Sequence, residues 1–423
     1  MIQKLIGILN ESQADAWEIR DVRTHGWEFY FIRHQLDQNR IKDVEHFHVT
    51  VYRNKGIRET GFATCEIQAS AGEAEIRKAI DDLCERASLV PNKYFTLNRP
   101  VPAEEMEMDE RTLSEVAEDF LTVMKEIPET ETEDLNSYEI FVSEVEERLV
   151  TSAGIDVTEK YLSSFLEVVV NARKEKHEIE IYRSFRSGSC DKESLREEII
   201  RAMHYGKDRL KAIPTPKLQK CAVLFSGHDA VQLYDYYLDK MDVEYIYRAM
   251  SNWKLGIPVV RNPKGDAVTL MARRYLPNSS RNTAYDTEGA PIRDAVLIQN
   301  NVPMIYAGKR AFSHYLDLKN TFIVSNYEVT GGTMTEAAIR RGNYIEVVEF
   351  SDFQVDSLTG DIFGEIRLGY YHSNGKITII TGGSISGNMN DLMREMHMSK
   401  RQTQYNNAKI PALTRLENVS IAG

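Results

Sequence analysis

Ten histidines and four cysteines are the side chains of this chain best suited to hold a metal or carry nucleophilic chemistry. The histidines stand at 25, 34, 46, 48, 177, 204, 228, 314, 372 and 397. No two of them are four or five apart on a helix. Neither H-E-x-x-H nor H-E-x-x-x-H occurs, so the spacing that aims two imidazoles from one helix face at a zinc ion is missing. His46 and His48 sit at i, i+2 and project from one face of a strand, where they could ligate a metal. No third ligand at a clear spacing accompanies them, and a half-exposed polar strand face is the preferred reading. Cys65, Cys84, Cys190 and Cys221 lie far apart with no C-x-x-C, so neither a zinc ribbon nor a redox pair is visible. Buried thiols in a reducing, cytoplasmic setting are the expectation.

Two glycine loops could bind an anion. Gly382 and Gly387 have the spacing of a phosphate loop, but Asn388 stands where the lysine is needed. Ile385 also occupies the position a G-x-S-x-G elbow reserves for serine. A turn leading into an amphipathic helix over 389–398 is preferred. Gly331 and Gly332 precede a second short helix over 334–341, whose free amides could hold a carboxylate or be capped by Thr333. No Ser-His-Asp order can be picked out.

The elements that must position these residues fall into two textures. The first half reads as a helix over 1–12, with Ile2, Leu5, Ile6 and Leu9 on one face, then strands over 16–23, 27–33, 46–53 and 61–69 and a helix over 73–88. The run His46-Phe47-His48-Val49-Thr50-Val51-Tyr52 alternates with the period of a half-buried strand, and Asn54-Lys55-Gly56 supplies turn chemistry after it. A proline-bearing stretch over 98–102 and an acidic one over 104–111 form a connection. A helix follows over 112–125, with Leu113, Val116, Phe120, Leu121 and Met124 on one stripe. The carboxylate-dense segment 126–134 reads as a solvated loop. Strands are expected over 137–145, 147–152, 165–173 and 177–187, then a helix to about residue 210 with Asp191 as its N-cap.

Pro214 and Pro216 mark the main boundary, giving domains 1–216 and 217–423. Beyond it, a strand over 221–225 and a helix over 228–242 lead into many short strands (267–271, 295–299, 303–307, 321–325, 344–350, 362–371 and 376–381) separated by Gly, Asn and Asp. The fold class expected is α+β: a helix-flanked antiparallel sheet domain followed by a β-rich, barrel- or sandwich-like domain.

Bulk properties narrow the function classes. With 423 residues the chain can bury a large core without disulfides or metals. Its 52 basic and 64 acidic residues give a net charge of -12, which argues against a duplex-binding surface, since such surfaces neutralise phosphates with Lys and Arg. No stretch approaches the ~18 apolar residues of a membrane span, and the N-terminus lacks a signal-peptide pattern.

Taken together, these segments resemble the TldD/PmbA family, first described as modulators of DNA gyrase and as peptide-maturation proteins. The resemblance runs nearly end to end. It is carried by Ala14-Asp15-Ala16-Trp17-Glu18-Ile19-Arg20, Gly61-Phe62-Ala63-Thr64, Arg209 to Pro214 and Ala222 to Ser226. Further along lie Asp286-Thr287-Glu288-Gly289-Ala290-Pro291, Leu297-Ile298-Gln299-Asn300-Asn301-Val302, Thr359-Gly360-Asp361-Ile362-Phe363, Asn374-Gly375-Lys376, Ser386-Gly387-Asn388 and the closing strand from Pro411.

The resemblance implies one of two kinds of chain. The catalytic kind carries H-E-x-x-x-H on the helix after the 222–226 strand and a third zinc ligand, a cysteine, near the C-terminus. Here that helix reads His228-Asp229-Ala230-Val231-Gln232-Leu233-Tyr234-Asp235-Tyr236-Tyr237-Leu238-Asp239. Tyr234 and Asp239 fall at the two histidine positions and Asp235 at the glutamate. No cysteine follows Cys221, and Met398-Ser399-Lys400 stands about where the ligand should be. The chain is thus expected to be of the PmbA/TldE-like type, with no catalytic residues, no metal and no cofactor of its own. It would be the non-catalytic subunit of a heterodimeric zinc metallopeptidase that trims or degrades unfolded peptides, beside a zinc-bearing TldD-like partner. Expected partners are that subunit or a second copy of the chain, and a peptide, but neither nucleic acid nor membrane. The alternative is a stand-alone homodimeric peptide-binding or regulatory protein without peptidase activity. A third reading, a hydrolase built on His228, Tyr234, Asp235 and Asp239, is disfavoured because any polar helix offers such a cluster.

Overall fold

The computed structural model describes residues 1–106 and 111–423, so part of the acidic connection expected over 104–111 lies outside the described residues. The first half is a seven-stranded, wholly antiparallel sheet with helices on one face. Its elements are α1 (Ile2–Glu11), β1 (Ala16–Ile32), β2 (Gln35–Lys55), β3 (Glu59–Ile67), α2 (Glu73–Leu89), β4 (Asn92–Lys93), α3 (Leu113–Lys125), β5 (Glu133–Thr151), β6 (Asp156–Lys174), β7 (His177–Ser187) and α4 (Lys192–Arg209). The strand order is β4-β3-β2-β1-β5-β6-β7.

The alternation in β2 does what its period requires: Phe47, Val49 and Val51 point inward, against Leu5, Leu9, Ile76 and Leu83 of α1 and α2. On the neighbouring part of the same face, Ile140, Val142, Leu166 and Val168 meet Val116, Phe120 and Ile199 of α3 and α4. Each such side chain contributes about 1.5–3 kcal/mol by leaving water. The cap predicted for α4 is made, and α3 carries a capping box as well. The Asp191 carboxylate accepts from the Ser194 amide at 3.1 Å, and Thr112 and Glu115 form a reciprocal capping box at the head of α3.

The strands are longer than expected. The expected strands over 16–23 and 27–33 are one strand, β1, and those over 137–145 and 147–152 are one strand, β5. Gly26, between the two expected strands, marks a close approach: a Cβ there would stand 2.4 Å from the Val142 carbonyl oxygen. The loop expected over 126–134 ends inside β5.

The second half comprises β8 (Ile213–Pro214), β9 (Lys220–Phe225), α5 (Asp229–Lys240), α6 (Val243–Tyr247), β10 (Leu270–Arg273), β11 (Ala295–Gln299), β12 (Val302–Pro303), α7 (Arg310–Tyr315), β13 (Asn326–Val329), α8 (Glu336–Ile339), β14 (Tyr344–Val355), β15 (Asp361–Ser373), β16 (Lys376–Thr381), β17 (Ser384–Asn388), α9 (Met389–Leu392), β18 (Met396–Met398), β19 (Gln402–Tyr405), β20 (Ala408–Pro411) and β21 (Thr414–Ala422). Strands β14, β9, β21, β17 and β15 are neighbours in that order, and β14 also pairs with β15. The ring therefore closes into a five-stranded barrel, which removes its open edges. A second sheet, β12-β11-β10-β13-β20-β19, stands beside it. One core joins Val223, Phe225, Ile345 and Leu416 of the barrel strands to Leu270 and Tyr327 of the second sheet and to the tyrosines of α5.

Local reading fails at several points in this half. The helix expected over 389–398 stops at Leu392, passes through one 3-10 turn, and becomes β18, because Met396, His397 and Met398 pair with Leu416, Arg415 and Thr414 of β21. Its apolar residues are buried as an amphipathic helix would bury them, but the ladder takes the backbone. The helix expected over 334–341 is only α8, capped by Thr335 rather than Thr333. The strand expected over 303–307 ends at Pro303, and that over 321–325 begins instead at Asn326. Pro214, ahead of the expected boundary, pairs in β8 with Thr381 of β16.

Candidate functional site

Helix α5 begins where β9 ends, after a turn at Gly227 with a positive φ of 77°, and its side chains are each tied to a different element. Tyr234 is fully buried, and its hydroxyl shares a 2.7 Å hydrogen bond with Thr414 Oγ1 of β21. Burial pushes that hydroxyl well above the ordinary tyrosine range. Asp235 is half-buried and accepts from the Tyr327 hydroxyl of β13 at 2.7 Å. Burial raises its carboxyl, the Tyr327 bond opposes the rise, and the Asp239 charge adds to it. Asp239 accepts from the Ser357 hydroxyl and is likewise raised by burial. The Lys240 ammonium is buried and donates to the Met250 and Leu358 carbonyls at 3.1 and 3.0 Å. His228, at the head of the helix, lies edge-on to Tyr405 with ring centroids 6.2 Å apart.

Tyr234, Asp235 and Asp239 therefore do not converge. Zinc in a hydrolytic site needs three protein ligands around one point and a fourth position open to water. Here the first residue is a phenol sealed in the core, and the two carboxylates hold hydroxyl donors from separate elements. Ser399, near the expected position of the third ligand, is buried with its hydroxyl donating to the Arg401 carbonyl at 2.7 Å. This donor set does not fit zinc. Among the described residues, no group of three His, Cys, Asp or Glu side chains is arranged to hold a metal. His46 and His48 share a strand face, with His46 Nδ1 2.8 Å from Glu66 Oε1.

The glycine loops are packing devices. A Cβ on Gly331 would lie 2.6 Å from the Lys400 carbonyl oxygen, and the Gly332 amide donates to the Ser399 carbonyl at 3.1 Å. Gly382 and Gly383 both adopt positive φ, and Asn388 caps α9 by accepting from the Asn390 amide at 3.0 Å. All four cysteines are free thiols, Cys84 and Cys190 buried and Cys65 and Cys221 half-buried.

A cavity of about 500 Å³ opens beside the β9–α5 turn, between the first turns of α4 and the barrel. Ser226 and Gly227 line it, with Asp191 and Glu197 from the α4 side and Arg340 and Arg401 opposite. Its cations are committed. Arg340 grips Glu346 with two bonds, at 2.9 and 2.6 Å, and Arg401 binds Glu336. Arg401, with Arg340 behind it, holds the Glu336 carboxyl below its usual range. Burial pushes the cavity's Tyr205 and Tyr405 up to about 12. Sequence reasoning missed this cluster because its members come from segments more than 200 positions apart. Only the helix pairs Glu336–Arg340, at i, i+4, and Glu198–Arg201, at i, i+3, carry a local signal.

Residues 218–423 match the family described as the PmbA/TldA metallopeptidase C-terminal domain. The second half of the chain therefore carries the C-terminal domain of the TldD/PmbA family. The solved TldE from Thermococcus kodakarensis is 18% identical, with a TM-score of 0.80 and 100% of both chains covered. A candidate modulator of a DNA gyrase from Thermotoga maritima is 17% identical, with a TM-score of 0.79 over 100% of this chain and 99% of that one. A second candidate gyrase modulator, from Bacteroides thetaiotaomicron, is 15% identical with a TM-score of 0.77, covering 100% and 98%. At these identities the likeness is one of fold. No curated protein sequence matches the chain. Helix α5 follows β9, the first strand of the matched segment, and its polar side chains are turned to structural use.

Proposed function

We propose that this chain is the metal-free, PmbA/TldE-type subunit of a TldD/PmbA peptidase complex. It would stand beside a zinc-bearing TldD-like partner and help that partner trim or degrade unfolded peptides in the cytoplasm. In this reading residues 1–216 and 217–423 are its two domains. The observation that carries it is the state of α5. Where the family resemblance puts two histidines and a glutamate, Tyr234 bonds Thr414, Asp235 bonds Tyr327 and Asp239 bonds Ser357, so every candidate ligand is already occupied. The net charge of -12 favours a peptide over nucleic acid as the polymer handled. Among the described residues no helix is long and apolar enough to cross a membrane.

Co-expression with a TldD-like chain carrying H-E-x-x-x-H, followed by pull-down, zinc analysis and a peptidase assay, tests this. The isolated chain should bind no stoichiometric zinc and cleave nothing, while the pair co-purifies and cleaves. One zinc per isolated chain, or peptide cleavage by this chain alone, would overturn the reading.

A further inference from the structure

The helices α1 to α4 cover one face of the seven-stranded sheet, and the opposite face carries a cross-strand row of a different character. Glu28 of β1 stands opposite Phe141 of β5, Phe141 opposite Phe165 of β6, and Phe165 opposite Arg186 of β7. The two phenylalanine rings are 6.0 Å apart, and the Arg186 guanidinium lies 4.1 Å from the Phe165 ring centroid. Where this face meets the 279–287 segment of the second half, a cavity of about 390 Å³ forms, and both Arg186 and Arg281 line it.

The hydrogen-bonding capacity of this cavity is unbalanced. Its carboxylates are all engaged. Glu147 binds Arg20. Glu159 accepts from the Ala284 and Tyr285 amides at 3.1 and 3.0 Å. Asp286 accepts from the Glu288, Ala290 and Ile323 amides. The Arg186 and Arg281 guanidiniums, in contrast, make no ion pair or hydrogen bond with another side chain among the described residues. Each has five N–H donors in a planar fork that matches a carboxylate. Around them stand the apolar Leu149 and Val157 and the phenol rings of Tyr161 and Tyr285, surroundings suited to a side chain next to an anion rather than to a bare inorganic ion.

We propose that this cavity captures the C-terminal carboxylate of a peptide. Arg186 and Arg281 grip the two oxygens, and the preceding residues run out over the Phe165–Phe141 row. The inference rests on the peptide-handling reading above and gives it a subsite on this chain, where the ion-paired arginines of the larger cavity offer none.

The test uses the full-length chain and a short fluorescein-labelled, unstructured peptide of uncharged side chains, as free acid and as C-terminal amide, read by anisotropy. The free acid should bind roughly ten- to a hundredfold more tightly than the amide. Arg186→Gln and Arg281→Gln should each abolish that preference, and Arg281→Lys should restore part of it. Arg340→Gln, in the other cavity, should leave the preference intact. Equal binding of acid and amide, with both forms bound, would overturn the carboxylate site but leave the peptide reading standing. No binding of either form would overturn both. Displacement of both peptides alike by inorganic phosphate would show a plain anion site and overturn the proposal.

Discussion

Replacing Glu288 by glutamine should change how the stability of this chain depends on pH. Glu288 sits at the seam between the two halves. Its carboxylate accepts from the Arg310 amide at 2.6 Å, and its carbonyl accepts from the Asn98 side chain at 3.0 Å. Burial pushes its carboxyl from 4.5 up to about 7, the Arg310 amide opposes the rise, and the charges of Asp286 and Glu18 add to it. Below pH 4.5 the group is protonated whether the chain is folded or not. As pH rises from there to about 7, the unfolded chain releases the proton while the folded chain keeps it, so folding stability falls through that window and levels off above it. The rise corresponds to about 3 kcal/mol at full burial. Since the side chain is only half-buried, about 2 kcal/mol is expected after allowance for solvent. Glutamine keeps an acceptor for the Arg310 amide and does not ionise. In urea denaturation at a series of pH values from 5 to 8, E288Q should therefore gain about 2 kcal/mol on the parent chain, nearly all of it below pH 7. Parallel curves for the two proteins would refute the argument.

The Tyr327–Asp235 pair offers a double-mutant cycle. Asp235→Ala strands a buried hydroxyl and should cost about 2 kcal/mol, Tyr327→Phe about 1 because the half-buried carboxylate can reach water, and the double variant less than their sum by about 1. Strict additivity in urea denaturation would contradict the pairing. Lys240→Met leaves the Met250 and Leu358 carbonyls without their donor and should lower stability by about 2 kcal/mol, with no change if those bonds are not made. Gly61→Ala puts a Cβ 1.7 Å from the Ala87 carbonyl oxygen, so the end of α2 must move off β3. A loss of about 2 kcal/mol is expected, and an unchanged denaturation midpoint would contradict that packing.

Much of the first half was legible from local pattern. The alternation through His46 to Tyr52, the apolar stripe of α3 and the carboxylate cap of α4 act over a few residues, and each appears where its spacing put it. Strand lengths were less legible, because the place of Gly26 is set by the Val142 backbone of the neighbouring strand. In the second half the same limit is sharper. The apolar spacing over 389–398 fits a helix, and the pairing of β18 with β21 overrides it.

By itself, the sequence determined the acidic charge, the two textures of the chain, the family resemblance, and the absence of H-E-x-x-x-H and of any cysteine after Cys221. Those are properties of residue identity and short spacing. Only the tertiary structure decided what the substituted residues do. Tyr234 meets Thr414 across 180 positions and Asp235 meets Tyr327 across 92. Arg186 and Arg281 come to line one cavity from opposite halves. Such meetings depend on strand register and on closure of the five-stranded barrel, which sum many weak contacts over the whole chain and leave no mark within a short window of sequence.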